Sequence, residues 1–203
     1  CLLTDMYSRY FHLLPKDRPL NVFDIGANGG GLPLSLLSNG CCMETLACVE
    51  MNPCTFSRLH FNIRQNVPAA RLHLINAAAH HSDGTLSLAL GKGGTNDSIH
   101  TVTSAECRDA KIVATRSFDS MADECFGGKE IDLCKIDIEG AEYEVLLSSE
   151  ADRLQDVRLL IIEIHPHARH SSEELLTALK NRGFEEYCRE QDTSDTTSVH
   201  VLK

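Results

Sequence analysis

Residues 22–31 read VFDIGANGGG, and the fold follows from that run. Val22, Phe23 and Ile25 are apolar around Asp24, and the chain then turns small and flexible from Gly26 to Gly31. A short buried strand therefore enters a tight turn, and residues 32–38 continue as a helix. Glycine permits the left-handed backbone angles such a turn needs and lets a ligand approach the main chain with no Cβ in the way. A glycine-rich turn between strand and helix is where an α/β fold holds a nucleotide-like ligand.

The same alternation continues outward. Upstream, Leu2, Leu3, Met6, Tyr10, Leu13 and Leu14 recur at helical spacing until Pro15, so residues 1–20 read as a helical extension lying on a sheet. Residues 21–25 form the first strand, and its helix ends at Asn39-Gly40. Downstream come a strand over 45–50, a helix over Pro53–Asn66 with Phe56, Leu59 and Ile63 on one face, and a strand over Arg71–Ile75. That strand runs into Asn76-Ala77-Ala78-Ala79. Leu86, Leu88 and Leu90 alternate as in a half-exposed strand, residues 91–98 are too rich in glycine for regular structure, and a short strand over 111–115 precedes a turn and short helix over 117–125. A strand over 131–136 leads to a helix with Ala141 and Val145 inward, and another over 158–164 leads to a helix opened by a Ser171/Glu174 capping box and stopped at Gly183. Residues 187–190 and 198–202 read as closing strands. Strands alternating with helices predict an α/β fold: one domain over 1–203, built on a mostly parallel sheet with helices on both faces.

Composition narrows the class. The chain has 203 residues, 42% hydrophobic and 24% charged, as in an ordinary globular domain. No apolar run approaches the roughly 20 residues a membrane span needs. It begins at Cys1, which reads as a piece of a longer protein. The net charge of −10 argues against a nucleic-acid partner, since phosphate backbones want a basic surface. Nine cysteines without a Cys-x-x-Cys pair point to free thiols in a reducing, cytoplasmic setting.

In such sheets ligands sit beyond the carboxyl ends of the strands, where strand order reverses. Here those ends carry Asp24 with its glycine turn, Glu50, Asn76, Asp137 with Glu139, and His165. One polar strand end is an ordinary exit into water; five on one rim make a site. Glu50, about two dozen residues after the glycine turn, is placed to accept hydrogen bonds from both ribose hydroxyls. A dinucleotide fingerprint would put glycine where Asn28 stands, and Asp24 would repel a pyrophosphate. The same carboxylate suits a cationic ligand such as the methionine end of S-adenosylmethionine.

Five stretches stand in order: VFDIGANGG at 22–30, VEMNP at 49–53, LINAAAHHSDGTLSL at 74–88, DLCKIDIEGAEYEVL at 132–146 and LIIEIHP at 160–166. Together they resemble the FkbM-type methyltransferases, S-adenosylmethionine-dependent proteins with a seven-stranded, Rossmann-like class I sheet. The resemblance covers about residues 21–184. It implies that Asp24, Gly26, Ala27, Asn28 and Gly30 cradle the methionine part of the donor. It also implies that Glu50 holds the ribose, with Met51 against the adenine and Asn76 and Ala77 bordering it. The acid usual in the wider class after the third strand is missing, and Asn76 stands in its place. The family commonly methylates hydroxyl oxygens of small molecules, sugars or lipids.

For catalysis, His165 reads as general base with Asp137 as its orienting carboxylate, and Glu139 follows on the same loop. A loop histidine bonded only to its surroundings and an Asp137 that merely caps a helix are the bland alternatives. Asn96 and Ser98 are candidate acceptor contacts. A divalent ion on Asp137, Glu139 and Glu163 or His165 is chemically conceivable, but no spacing demands one, so no metal is assigned. N-methylation, a nucleotide-linked oxidoreductase and a silent donor-binding domain are the competing functions.

Overall fold

A computed structural model describes residues 7–67, 71–88, 111–148, 151–191 and 197–203. Asn96, Ser98 and the first six residues of the expected N-terminal helix lie outside them. The described part of that extension is a 3-10 helix, Ser8–Leu13, rather than an α-helix. Leu14 is already extended before Pro15, because proline drives the preceding residue out of the helical region.

The elements follow as β1 (Leu20–Ile25), α1 (Gly31–Ser38), β2 (Met43–Val49), α2 (Pro53–Asn66), β3 (Arg71–Ile75), β4 (Ala78–Ala79), β5 (Gly84–Leu88) and β6 (Lys111–Arg116). Then come α3 (Phe118–Phe126), β7 (Leu133–Ile136), α4 (Glu142–Leu146), a 3-10 turn (Asp152–Asp156), β8 (Leu160–Ile164), α5 (Ser172–Asn181), β9 (Glu186–Gln191) and β10 (Ser198–Leu202). Seven strands form one sheet in the order β3-β2-β1-β7-β8-β10-β9. The first five are parallel, and β10 runs antiparallel to both β8 and β9. Order reverses between β1 and β7, which opens a crevice at their carboxyl ends.

Alternation along each strand sorts the core into two layers. Phe23, Cys134 and Ile162 face α3, α4 and α5; Val22, Leu133 and Ile161 face α1, α2 and the N-terminal 3-10 helix. Phe23, fully buried, packs against Phe118 at 5.4 Å and Phe126 at 5.5 Å between ring centres, which anchors α3. Such aromatic pairs add about 0.5–1.5 kcal/mol each beyond area burial. Local signals set the helix ends: Asn52 caps α2 ahead of Pro53, Ser117 caps α3, and Ser171 accepts from the Glu174 amide at the start of α5. The reciprocal half of that capping box is not made by Glu174, whose carboxylate pairs with His170 instead.

Two features differ from the sequence expectation. Ala78–Ala79, expected as the tail of the third strand, is a separate strand pairing with β6, which also pairs with β5 in a second, three-stranded sheet. Two residues carry no periodicity from which a strand can be read. The helix after β7 is a single turn of five residues, so its start is shaped by the loop before it rather than by helix propensity.

Candidate functional site

The glycine turn sits against the loop that follows β7. Gly26 has φ +79°, and a Cβ there would lie 1.8 Å from the Asp137 carbonyl oxygen, so only glycine fits. Asn28 is also left-handed (φ +48°), a conformation its short polar side chain tolerates. The Val49 carbonyl accepts from the amides of Gly26 (3.0 Å) and Ala27 (2.9 Å). Glu50 completes the turn: one carboxylate oxygen accepts from the Asn28 amide at 3.1 Å and the other from the Asn52 amide at 2.8 Å.

Beside it, the Asn76 side-chain amide donates to the carbonyls of Glu50 (2.8 Å) and Met51 (3.1 Å), tying the end of β3 to the end of β2. Met51 packs against a small cluster with Ala78, Val113 and Ala141, and Ala77 is buried. Glu50, Met51, Asn76 and Ala77 thus share one end of the rim.

Between β1 and β7 the sequence analysis missed a residue, Lys135. Asp24, Lys135 and Glu163 follow Val22, Leu133 and Ile161 by two positions and share their face of the sheet. The Lys135 ammonium donates to the Gly26 carbonyl at 2.8 Å and lies 3.1 Å from Asp137 and 3.7 Å from Asp24. The ammonium beside Asp24 is therefore the protein's own. Burial pushes the Asp24 carboxyl up to about 6 against the pull of Lys135, which at 3.7 Å is its charged partner among the described residues but lies beyond ordinary hydrogen-bond length. Burial works against the Lys135 charge as well, but Asp137 and Asp24 outweigh it and hold its pKa above the ordinary value. The sequence signal was a lone lysine inside an apolar strand, two residues before Asp137.

The β8 end gathers the remaining acids. Nδ1 of His165 is 3.0 Å from Glu142, and Nε2 is 3.4 Å from Glu139 and 3.8 Å from Glu163. Glu142 is fully buried, and its oxygen toward His165 also accepts from the amides of Ile138 and Gly140. The carboxylate hydrogen-bonded to His165 is thus Glu142, whereas Asp137, expected beside it from the strand ends, pairs with Lys135. Burial lowers the His165 pKa, but the hydrogen bond and charge of Glu142, with Glu139 and Asp137, win and raise it to about 9. The surrounding acids thus favour the protonated ring. Burial instead raises the pKa of Glu139 and Glu163, which strengthens both as proton acceptors. The Tyr7 hydroxyl, from the N-terminal segment, donates to Glu163 at 3.3 Å, a contact with no local sequence signal.

The other histidines stay apart from this chemistry. The His80 and His81 rings meet at a tilt of 38°, and His167 and His170 stack beside Tyr143. All seven described cysteines are free. Among the described residues, no helix is long and apolar enough to cross a membrane.

Comparison with known proteins agrees with the architecture. The methyltransferase FkbM domain family matches residues 24–186. No curated protein sequence matches the chain. Among solved structures, a methyltransferase FkbM from Methylobacillus flagellatus superposes with TM-score 0.60 at 18% identity, over 95% of this chain and 50% of that one. The chain therefore spans about half the length of that structure. TrmK of M. capricolum, in complex with S-adenosyl-homocysteine, gives 0.57 at 12% identity over 100% of this chain and 68% of that one. A precorrin-6y C5,15-methyltransferase from Geobacter metallireducens gives 0.52 at 13% identity over 97% and 85%. The fold is thus the Rossmann-like methyltransferase fold. Its solved examples include tRNA methyltransferases, so net charge alone does not exclude a nucleic-acid acceptor.

Proposed function

The chain belongs to the methyltransferase FkbM domain family, and on that premise we propose that it is an S-adenosylmethionine-dependent methyltransferase. The observation that carries this reading is the Glu50 clasp at the switch point. A carboxylate fixed by two backbone amides, beside a turn admitting no Cβ at Gly26, suits a ribose. The residues also fit the donor's charge, since the buried Asp24 carboxylate shares the Lys135 ammonium with Asp137 and accepts no hydrogen bond among the described residues. Glu50 takes the ribose hydroxyls, Met51, Asn76 and Ala77 border the adenine, and the turn from Gly26 to Gly30, with Asp24, Lys135 and Asp137, receives the methionine end. When bound, the donor supplies an electrophilic methyl group on a sulfonium.

The chain's own part is to orient the acceptor and exclude water, which supplies on the order of 7–11 kcal/mol of a barrier when the geometry is right. A hydroxyl acceptor must also lose its proton, and a positioned base contributes roughly 10²–10⁴-fold. Glu139 and Glu163, with pKa values raised by burial, suit that role, and both face Nε2 of His165. The acceptor is then a hydroxyl of a small molecule, sugar or lipid, and the whole of residues 1–203 acts as one domain. Isothermal calorimetry tests the reading: S-adenosylmethionine binds with measurable heat and NADH does not. No heat at millimolar donor, or preference for NADH, overturns it. A labelled-methyl screen that includes tRNA beside sugars and lipids decides the acceptor.

A further inference from the structure

We propose that Asp137, Glu163 and His165 form a binding site for a divalent metal ion of the magnesium or manganese type, at the β7–β8 end of the rim. One ligand atom from each residue lies within 4.8 Å of the other two. Octahedral coordination at about 2.1 Å separates ligand atoms by roughly 3.0 Å at right angles and 4.2 Å across the ion, so small side-chain rotations suffice. Two carboxylates and one imidazole are a donor set for such ions.

The histidine is already turned for the task. Glu142, fully buried and pinned by two backbone amides, takes Nδ1 of His165, which directs Nε2 toward Glu139 and Glu163. A carboxylate behind a histidine is the usual support of a metal-bound imidazole, fixing its tautomer and orientation.

A second observation, outside the triad, also calls for a cation. Asp24 is 1% exposed, its carboxylate has no hydrogen-bond donor, and its nearest positive charge is Lys135 at 3.7 Å. The same ammonium also serves Asp137, so it cannot neutralise both. Among the described residues, Asp24 and Asp137 share the Lys135 ammonium, and Glu139, Glu142 and Glu163 all face His165, which releases its Nε2 proton when it takes an ion. Negative charge held this close, with Asp24 and Glu142 buried, favours a further cation. Lys135 approaches one oxygen of Asp137, and a carboxylate has a second to offer an ion. The three ligand side chains are 13–26% exposed, so the ion would keep one side open to an acceptor oxygen. That last role rests on the methyltransferase reading; the ion site itself does not.

The test uses the full chain, stripped with chelator and titrated with Mn2+ while the free ion is followed by electron paramagnetic resonance. One Mn2+ should bind per chain and be displaced by excess Mg2+. Asp137→Asn, His165→Ala and the isosteric Glu163→Gln should each weaken it by at least about tenfold. Glu44→Gln, near the opposite end of the sheet, should leave it unchanged. Circular dichroism checks that each variant folds. If one does not, Mn2+ broadening of the His165 ring resonance in the unmodified chain replaces it. No loss of free Mn2+ at millimolar metal, or binding indifferent to all three substitutions, overturns the proposal. Donor calorimetry in chelator separates the two readings: donor binding without Mn2+ binding removes only the metal, and Mn2+ binding without donor binding removes only the methyltransferase.

Discussion

The two ends of the rim are held by different forces. At the β1–β2 end, Glu50 is fixed by the amides of Asn28 and Asn52, and the turn by the Val49 carbonyl. At the β7–β8 end, Lys135 and His165 are fixed by side-chain charges: Asp24, Asp137, Glu139, Glu142 and Glu163. Backbone clamps are pre-organised by the fold and keep their shape when a ligand leaves. Charge clamps inside a protein depend on every member, because removing one leaves its partner buried and uncompensated. The contrast separates a rim end held by the main chain from one held largely by side-chain charge.

The largest expected effect is therefore at Lys135. Lys135→Met should destabilise the chain by about 3–5 kcal/mol in urea denaturation, the usual cost of stranding buried charges. Adding Asp24→Asn should recover much of that loss. A single variant as stable as the unmodified chain would show that the β7–β8 end is not held by charge.

Glu50→Gln should be milder for stability and specific for the ligand. It removes a charged acceptor worth about 1.5–3 kcal/mol, or roughly ten- to a hundredfold in donor affinity by calorimetry. Unchanged affinity would detach Glu50 from the ribose.

The smallest effect is a pH slope. With its pKa raised to about 6 by burial, the folded Asp24 binds a proton more readily than the unfolded one, whose ordinary value is 3.8. Its contribution to stability must then rise as pH falls from above 6 toward 4, because the penalty of a buried charge is relieved. Melting temperatures of Asp24→Asn and the unmodified chain should converge as pH falls through that window and stay apart by a constant amount above it, with the variant the more stable. Parallel pH curves would place the Asp24 carboxylate in water.

Legibility in the sequence followed the range of each interaction. Pro53–Asn66 and Arg71–Ile75 were readable to the residue, because capping, proline placement and apolar period act within a few positions. The Ala78–Ala79 strand was not, since its partner is β6 across a long separation. At the site, Asp24, Glu50, Asn76, Asp137 and His165 were found from their place at strand ends, and the structure brings them to one rim. Glu142 and Tyr7 were missed as partners because neither is marked locally. Glu142 meets His165 from 23 residues away, and Tyr7 meets Glu163 from 156.

The sequence by itself determined the strand–turn–helix order, the glycine at position 26 and the acids at the strand ends, all encoded by neighbours along the chain. Only the tertiary structure decided which charges face each other. It set Lys135 between Asp24 and Asp137, and Nδ1 of His165 against Glu142. Electrostatic energy depends on distance and burial, and both exist only once the sheet has assembled.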